Sequence, residues 1–224
     1  MNKVLYVIKL TFRRSLLFFG LVLLYGFTDF HAFFTIRKLQ KDQYEIMIIE
    51  LLLDVLLIYF LNWLYRHQIE QENPNGFARK PLTIRTVLLF FLGIICLIVY
   101  SQLWSFFGIT STKNQETMNM FLRSAPLLVY VVGILMAPII EEFIFRGIFF
   151  NFFLHDSKPL SKVIVVLASG CVFGFLHEPR FDVSWLLYSI MGWIFGSVYI
   201  ITKDLRYSIV LHMFNNAMAA VFPM

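Results

Sequence analysis

The sequence predicts an all-α fold, a polytopic transmembrane bundle of about seven spans with six to eight compatible, on three observations. Of 224 residues, 59% are hydrophobic and 15% charged, with a mean hydropathy of +0.73, whereas a soluble domain is nearer about half apolar and a quarter charged. Phe alone contributes 26 residues, more than a soluble core of this size usually takes. Apolar runs near the ~20 residues that a helix needs to cross a bilayer recur along the whole chain.

The first run is 15–36. Lys9, Arg13 and Arg14 precede it as in a signal peptide, but Arg37, Lys38 and Lys41 follow and no A-x-A-like site is present, so it reads as a retained span. The second, 44–64, carries Glu50 and Asp54, and the third is 86–108. The fourth, 125–153, is too long for one straight crossing and calls for a bend or a re-entrant or interfacial end. Runs 161–177, 184–202 and 207–223 complete the series, the last two short and polar in places. QIEQENPNGFARKP, residues 68–81, has the Pro, Asn and Gly content of a linker-like polar loop. No internal repeat or low-complexity tract interrupts what reads as one membrane domain, with N-terminal helices over 1–110 and a core over 111–224 that holds the chemistry described below. Cys96 and Cys171 fall inside spans and read as small buried hydrophobes, not as a disulfide framework.

Lys and Arg in the loops set orientation. With seven spans, one side carries 12 of them, from Lys3 to Arg206, and the other carries 6, from Arg37 to Arg180. The sequence therefore predicts a multi-pass cell-membrane protein with its N-terminus cytoplasmic and its C-terminus outside. The net charge of +5 reflects this anchoring and gives no reason to expect nucleic acid. Lipid is an expected partner, and nothing in the sequence speaks to oligomeric state.

Ionisable residues inside spans are functional candidates by default, because hydrocarbon penalises them. Glu50 and Asp54, four apart, share a helix face; an interhelical hydrogen bond with one group protonated and a proton or cation pathway both suit them. His31, His67 and His155 fall at span ends or in loops and read as interfacial or solvated. APIIEEFIFRG, residues 137–147, is more informative. Glu142 and Arg146 stand i,i+4 in the order that favours a helical ion pair. Glu141 is rotated from Glu142 by about 100° and can face a cavity, where burial and a like charge suit a carboxyl to general-base work.

Two further motifs follow. In SGCVFGFLHEP, residues 169–179, Phe173 and His177 share a helix face and Gly170 with Gly174 permits close helix approach. Position 181 is Phe, so the second histidine of H-E-x-x-H is absent and a zincin site is rejected. In LHMFNNA, residues 211–217, His212 and Asn216 are again i,i+4, a pair able to bind metal with the glutamates or to donate hydrogen bonds to an oxyanion. Counting at ~1.5 Å per residue puts Glu141, His177 and Asn216 about 20, 22 and 15 Å from the same membrane face, so one shared site is permitted.

The ordered trio E-E-x-x-x-R, F-x-x-x-H and H-x-x-x-N resembles the CPBP family of intramembrane proteases, which includes CAAX prenyl endopeptidases and Abi proteins linked to bacteriocin processing or immunity. The resemblance covers roughly residues 125–220. It implies a glutamate-dependent endopeptidase acting on a membrane-associated peptide or protein. Glu141 would activate water, His177 would help hold that water, and His212 and Asn216 would stabilise the oxyanion. Glu142, Arg146 and Phe173 would give structural support. No cofactor is expected; zinc held by Glu141, His177 and His212 is the alternative, since two Glu and two His could ligate it. Residue Glu178 after the second motif and the doubled Asn215–Asn216 are the departures, the spacing favouring Asn216. Two other functions compete: a non-catalytic membrane regulator or immunity protein that binds a membrane partner, and an ion- or proton-coupled transporter using Glu50, Asp54, Glu141 and Glu142, against which stands the lack of an inverted repeat or a pair of interrupted helices.

Overall fold

The computed structural model describes residues 3–36, 39–108 and 112–221, and the side chains of 3, 4, 6, 7, 29–36, 39–43, 46 and 105, including His31 and Lys41, lie outside the description, as do Arg37 and Lys38. The described residues form eight helices and no strand. They are α1 (Lys3–Ile36), α2 (Leu39–Gln71), α3 (Ile84–Phe106), α4 (Lys113–Ser124), α5 (Pro126–Phe153), α6 (Pro159–His177), α7 (Val183–Thr202) and α8 (Leu205–Val221). Six are long and apolar enough to cross a membrane: α1, α2, α3, α5, α6 and α7. The chain is a multi-pass helical membrane protein. The seventh run forms α8, whose 17 residues reach only ~26 Å at 1.5 Å per residue, short of the ~30 Å hydrocarbon core.

Burial is distributed as lipid solvent requires. Phe12, Phe19, Phe27, Leu52, Tyr59, Leu88 and Phe91 on α1, α2 and α3 are exposed, because apolar side chains are at home in hydrocarbon. Cys96 also faces outward from α3, not inward as its sequence context suggests, and both cysteines are free. α5 occupies the centre: Ile140, Ile144, Ile148 and Phe150 are fully buried, facing Leu61 of α2, Phe173 of α6, Phe195 of α7 and Leu211 of α8 in one core.

The long fourth run is resolved by a break and a change of winding. Ala125, at φ −149° and ψ 66°, separates α4, an amphipathic helix capped by the Thr112 hydroxyl, from α5. α5 then runs unbroken through π-helical stretches at Val129–Met136 and Phe143–Ile148, which flank the α-helical Ala137–Glu142. Such π stretches leave carbonyls without their usual donors.

α6 and α7 pack closest. A Cβ on Gly192 would stand 2.8 Å from the Gly170 Cα, and one on Gly174 would stand 2.8 Å from both Ser189 N and Trp185 O. Trp185 and Trp193 of α7 donate their indole N–H to the Cys171 and Leu167 carbonyls of α6, at 3.2 and 3.1 Å. The 68–81 stretch does not behave as a slack linker. Phe77 is buried and stacks on Tyr199 with ring centroids 4.6 Å apart, while Asn73 closes the turn onto the Phe77 amide and carbonyl. Asn75 donates to Asp156 O, and Lys80 N donates to the buried Asp204 carboxylate. One apolar residue inside a polar loop is therefore enough to plug that end of the bundle.

Candidate active site

Glu141 and Glu142 lie on the α-helical turn between the two π stretches, and both are buried. Glu142 Oε1 forms an ion pair with Arg146 Nη1 at 2.8 Å, both side chains fully buried. Arg146 Nη2 donates to the Gly192 carbonyl at 3.0 Å, and the guanidinium carbon lies 4.7 Å from the Phe173 ring centroid and 5.4 Å from that of Phe195. The cation is thus held by a carboxylate, a carbonyl and two aromatic faces, which together lower the price of burying it.

The structure brings the three motifs to one point. His177 Nε2 lies 3.8 Å from Glu141 Oε2, and His212 Nε2 lies 3.7 Å from the same oxygen. His212 Nδ1 lies 3.1 Å from Glu142 Oε1, and His177 Nδ1 lies 2.9 Å from the Phe173 carbonyl. Both partners are acceptors, so each Nδ1 carries a proton and each Nε2 is turned toward Glu141. The rings are fixed by stacking: His177 between Phe173 (4.2 Å) and Tyr188 (5.1 Å), His212 on Phe195 (4.5 Å).

Asn216 does not sit loosely beside this group. Its Nδ2 donates to the Gly133 carbonyl at 3.0 Å, and Asn215 Nδ2 reaches Asn216 Oδ1 at 3.4 Å. An amide nitrogen has two hydrogens, so one remains for another acceptor.

Sequence reasoning missed Tyr25. Its hydroxyl donates to Glu141 Oε1 at 2.9 Å from α1, far from the three motifs in sequence. With Oε1 taken, Oε2 is the glutamate oxygen that faces the histidines, and it is buried with no hydrogen-bond partner among the described side chains. Tyr188 was missed as well: it stacks on His177, and its hydroxyl meets Thr112 Oγ1 at 3.0 Å and Asn114 Nδ2 at 3.2 Å. A tyrosine in an apolar helix carries no sequence signal that separates such positions from lipid-facing ones.

Glu141, His177, His212 and Asn216 line a cavity of about 750 Å³. Tyr25, Tyr100 and Trp104 contribute from α1 and α3, and Met118 and Phe121 from α4. Among the described residues, Glu141 is the single carboxylate in the lining, and no Lys or Arg is part of it. Glu50 and Asp54 are buried on α2 and are not among the lining residues. Glu178 is buried outside it and receives Arg180 at 2.8 Å. His67 stacks on Trp63 at an exposed helix end, and His155 meets Arg14 at 3.0 Å. Among the described residues no group of three or more His, Cys, Asp or Glu is placed to hold a metal ion. In the alternative zinc set of Glu141, His177 and His212, Glu141 Oε2 stands 3.8 and 3.7 Å from His177 Nε2 and His212 Nε2.

Residues 123–218 match the sequence model of the Type II CAAX prenyl endopeptidase Rce1-like family. Over that stretch, and at lower identity over most of its length, the chain is similar to CAAX proteases. The membrane-embedded CAAX protease MroQ of Staphylococcus aureus is 23% identical over 219 residues, covering 90% of this chain and 86% of that protein. The UPF0177 protein YvdC of Lactococcus lactis is 27% identical over 112 residues, 50% of this chain and 41% of its own length. No solved structure matches the chain. These similarities, together with the apolar helices, support a membrane protease. Tyr25, Tyr100 and Trp104 of the cavity wall lie outside the matched residues.

Proposed function

We propose that the chain is an intramembrane endopeptidase of the cell membrane, N-terminus cytoplasmic, in which Glu141 activates water against a peptide bond of a membrane-associated peptide or protein. The observation that carries this reading is the convergence of His177 Nε2 and His212 Nε2 on the unpartnered Glu141 Oε2 in the cavity wall. A water there donates one hydrogen to Glu141 Oε2 and the other to the bare His177 Nε2, leaving a lone pair for the scissile carbonyl. Glu141 takes the proton as the water attacks, and then delivers it to the leaving nitrogen.

The oxyanion is met by the second Asn216 N–H and by His212. His212 donates from Nε2 only as the imidazolium, with Glu142 Oε1 accepting from its Nδ1 at 3.1 Å. Glu142 thus accepts from two donors, Arg146 and His212, which separates it from Glu141's task. Phe173 braces His177 and Arg146 alike. The cavity supports an uncharged, largely apolar peptide segment as substrate, since Met118, Phe121, Leu128, Val129 and Val132 form part of its wall and no Lys or Arg among the described residues lines it to pair a charge. Processing of a bacteriocin or other secreted peptide, or self-immunity, is the role in keeping with this.

The test is quantitative peptidomics of membranes carrying the wild type or Glu141→Gln. Wild-type-specific fragments with a defined cleavage site are expected; identical peptide profiles with equal protein levels would refute the proposal. Activity that persists in excess chelator is the expected outcome for metal dependence, and its loss with recovery on adding zinc would replace this mechanism by a metal-assisted one.

A further inference from the structure

The Asn216 anchor rests on an unusual carbonyl. In an α-helix the Gly133 oxygen would accept from the N–H of residue 137, and in a π-helix from that of residue 138. Here Ala137 N–H goes to Val132 O, one residue earlier, because this turn is π-wound. Residue 138 is Pro and has no N–H. Both backbone routes to the Gly133 oxygen are therefore closed, and the acceptor that occupies a place in the middle of a helix is satisfied by Asn216 Nδ2 at 3.0 Å. Gly133 is half-buried at the cavity wall, and a helix carbonyl without a protein donor is unfavourable, which makes this contact directing.

We propose that Pro138 is a positioning residue for Asn216: by withholding an N–H it reserves the Gly133 carbonyl for the Asn216 amide and so aims the second amide hydrogen into the cavity. The same residue opens the α-helical Ala137–Glu142 segment that presents Glu141. The device links the carboxylate and the amide of the site through three residues of one helix, and it needs no contact between Pro138 and substrate. It rests on the reading of Asn216 as an oxyanion donor.

Pro138→Ala tests it. Alanine restores an N–H and is the better helix former, so the variant's thermal unfolding midpoint in detergent should equal or exceed the wild type. With the Gly133 carbonyl handed back to the backbone, Asn216 is released. On a quenched-fluorescence peptide spanning the cleavage site found by peptidomics, kcat should fall roughly 10- to 100-fold with KM little changed, as expected for a displaced rather than deleted donor. Because Pro138 acts through Asn216, the double variant Pro138→Ala/Asn216→Ala should be no slower than Asn216→Ala alone. A wild-type kcat in Pro138→Ala would overturn the inference, as would additive losses in the double variant or a fall in unfolding midpoint alongside activity. Failure here is separable from failure of the proposed function: if Glu141→Gln is inactive while Pro138→Ala is unimpaired, only this inference falls, and if Glu141→Gln retains activity, the underlying reading falls.

Discussion

Removing the Arg146 charge is the sharpest test of how the site tolerates ions. In Arg146→Met the side chain keeps its length and apolar stem, but Glu142 is left fully buried without its 2.8 Å partner, and Gly192 O loses its donor. Breaking a buried pair by deleting one member destabilises by about 3–5 kcal/mol, because the remaining carboxylate loses its cation and keeps only the His212 Nδ1 contact at 3.1 Å. The contacts to Phe173 and Phe195, at 4.7 and 5.4 Å, place the expectation in the upper part of that range, since cation–π contacts contribute up to ~2 kcal/mol when desolvated. For a chain of this size each kcal/mol moves the midpoint by about 2–4 °C, so a drop of roughly 10–20 °C is expected by tryptophan fluorescence in detergent micelles. Arg146→Met/Glu142→Leu should recover most of it, because an apolar pair of similar volume often replaces an ion pair without loss. Activity should not return with it, since His212 Nδ1 then lacks its carboxylate. A drop of under about 3 °C in the single variant would refute the argument, for it would mean that Glu142 is hydrated or neutral in the folded protein.

Three further outcomes follow from the same structure. Gly174→Ala should lower stability and activity together, because its Cβ would meet backbone atoms of α7 at 2.8 Å and overpacking of this kind costs about 1–3 kcal/mol; Gly20→Ala, with nothing within 4 Å, should be neutral by the same fluorescence melt. Tyr25→Phe keeps the ring and loses the 2.9 Å bond to Glu141 Oε1, so kcat should fall by roughly 10-fold while KM holds, as for a hydrogen bond to a charged group, and an unchanged kcat would make Tyr25 a packing residue only. Burial, and next the Arg14 guanidinium, hold the His155 imidazole below its usual range against the smaller pull of Glu72 and Asp156. The unfolded chain then binds the proton more tightly, so stability is complete above the ordinary value of about 6.5 and declines as pH falls below it toward the folded value. His155→Gln should flatten this decline in melts from pH 7.5 to about 5, and an unaltered slope would disprove the assignment.

Much of the fold was legible because lipid demands long apolar helices, and the runs at 86–108, 161–177 and 184–202 became α3, α6 and α7 within two residues at each end. The amphipathic α4 was not legible, since its KNQETMNMFLRS is polar enough to read as a loop until its Met118 and Phe121 face are seen against the cavity. The same blindness hid Phe77, whose burial depends on Tyr199, more than a hundred residues away in sequence.

The site divides along the same line. The i,i+4 spacings within one helix set Glu142 beside Arg146 and Phe173 beside His177, because 3.6 residues per turn fixes which side chains share a face whatever the helix later packs against. By itself the sequence thus determined a membrane-spanning helical protein and the local pairs of its motifs. Which helices meet was decided only by packing: the glycine seam between α6 and α7, the central place of α5, and the crossing of α1 that brings Tyr25 to Glu141. So was the winding of α5, where a proline and a π turn leave the Gly133 carbonyl to Asn216. Those choices rest on steric fit and on donors and acceptors that must be satisfied across helices, neither of which has a period that a single strand of sequence can display.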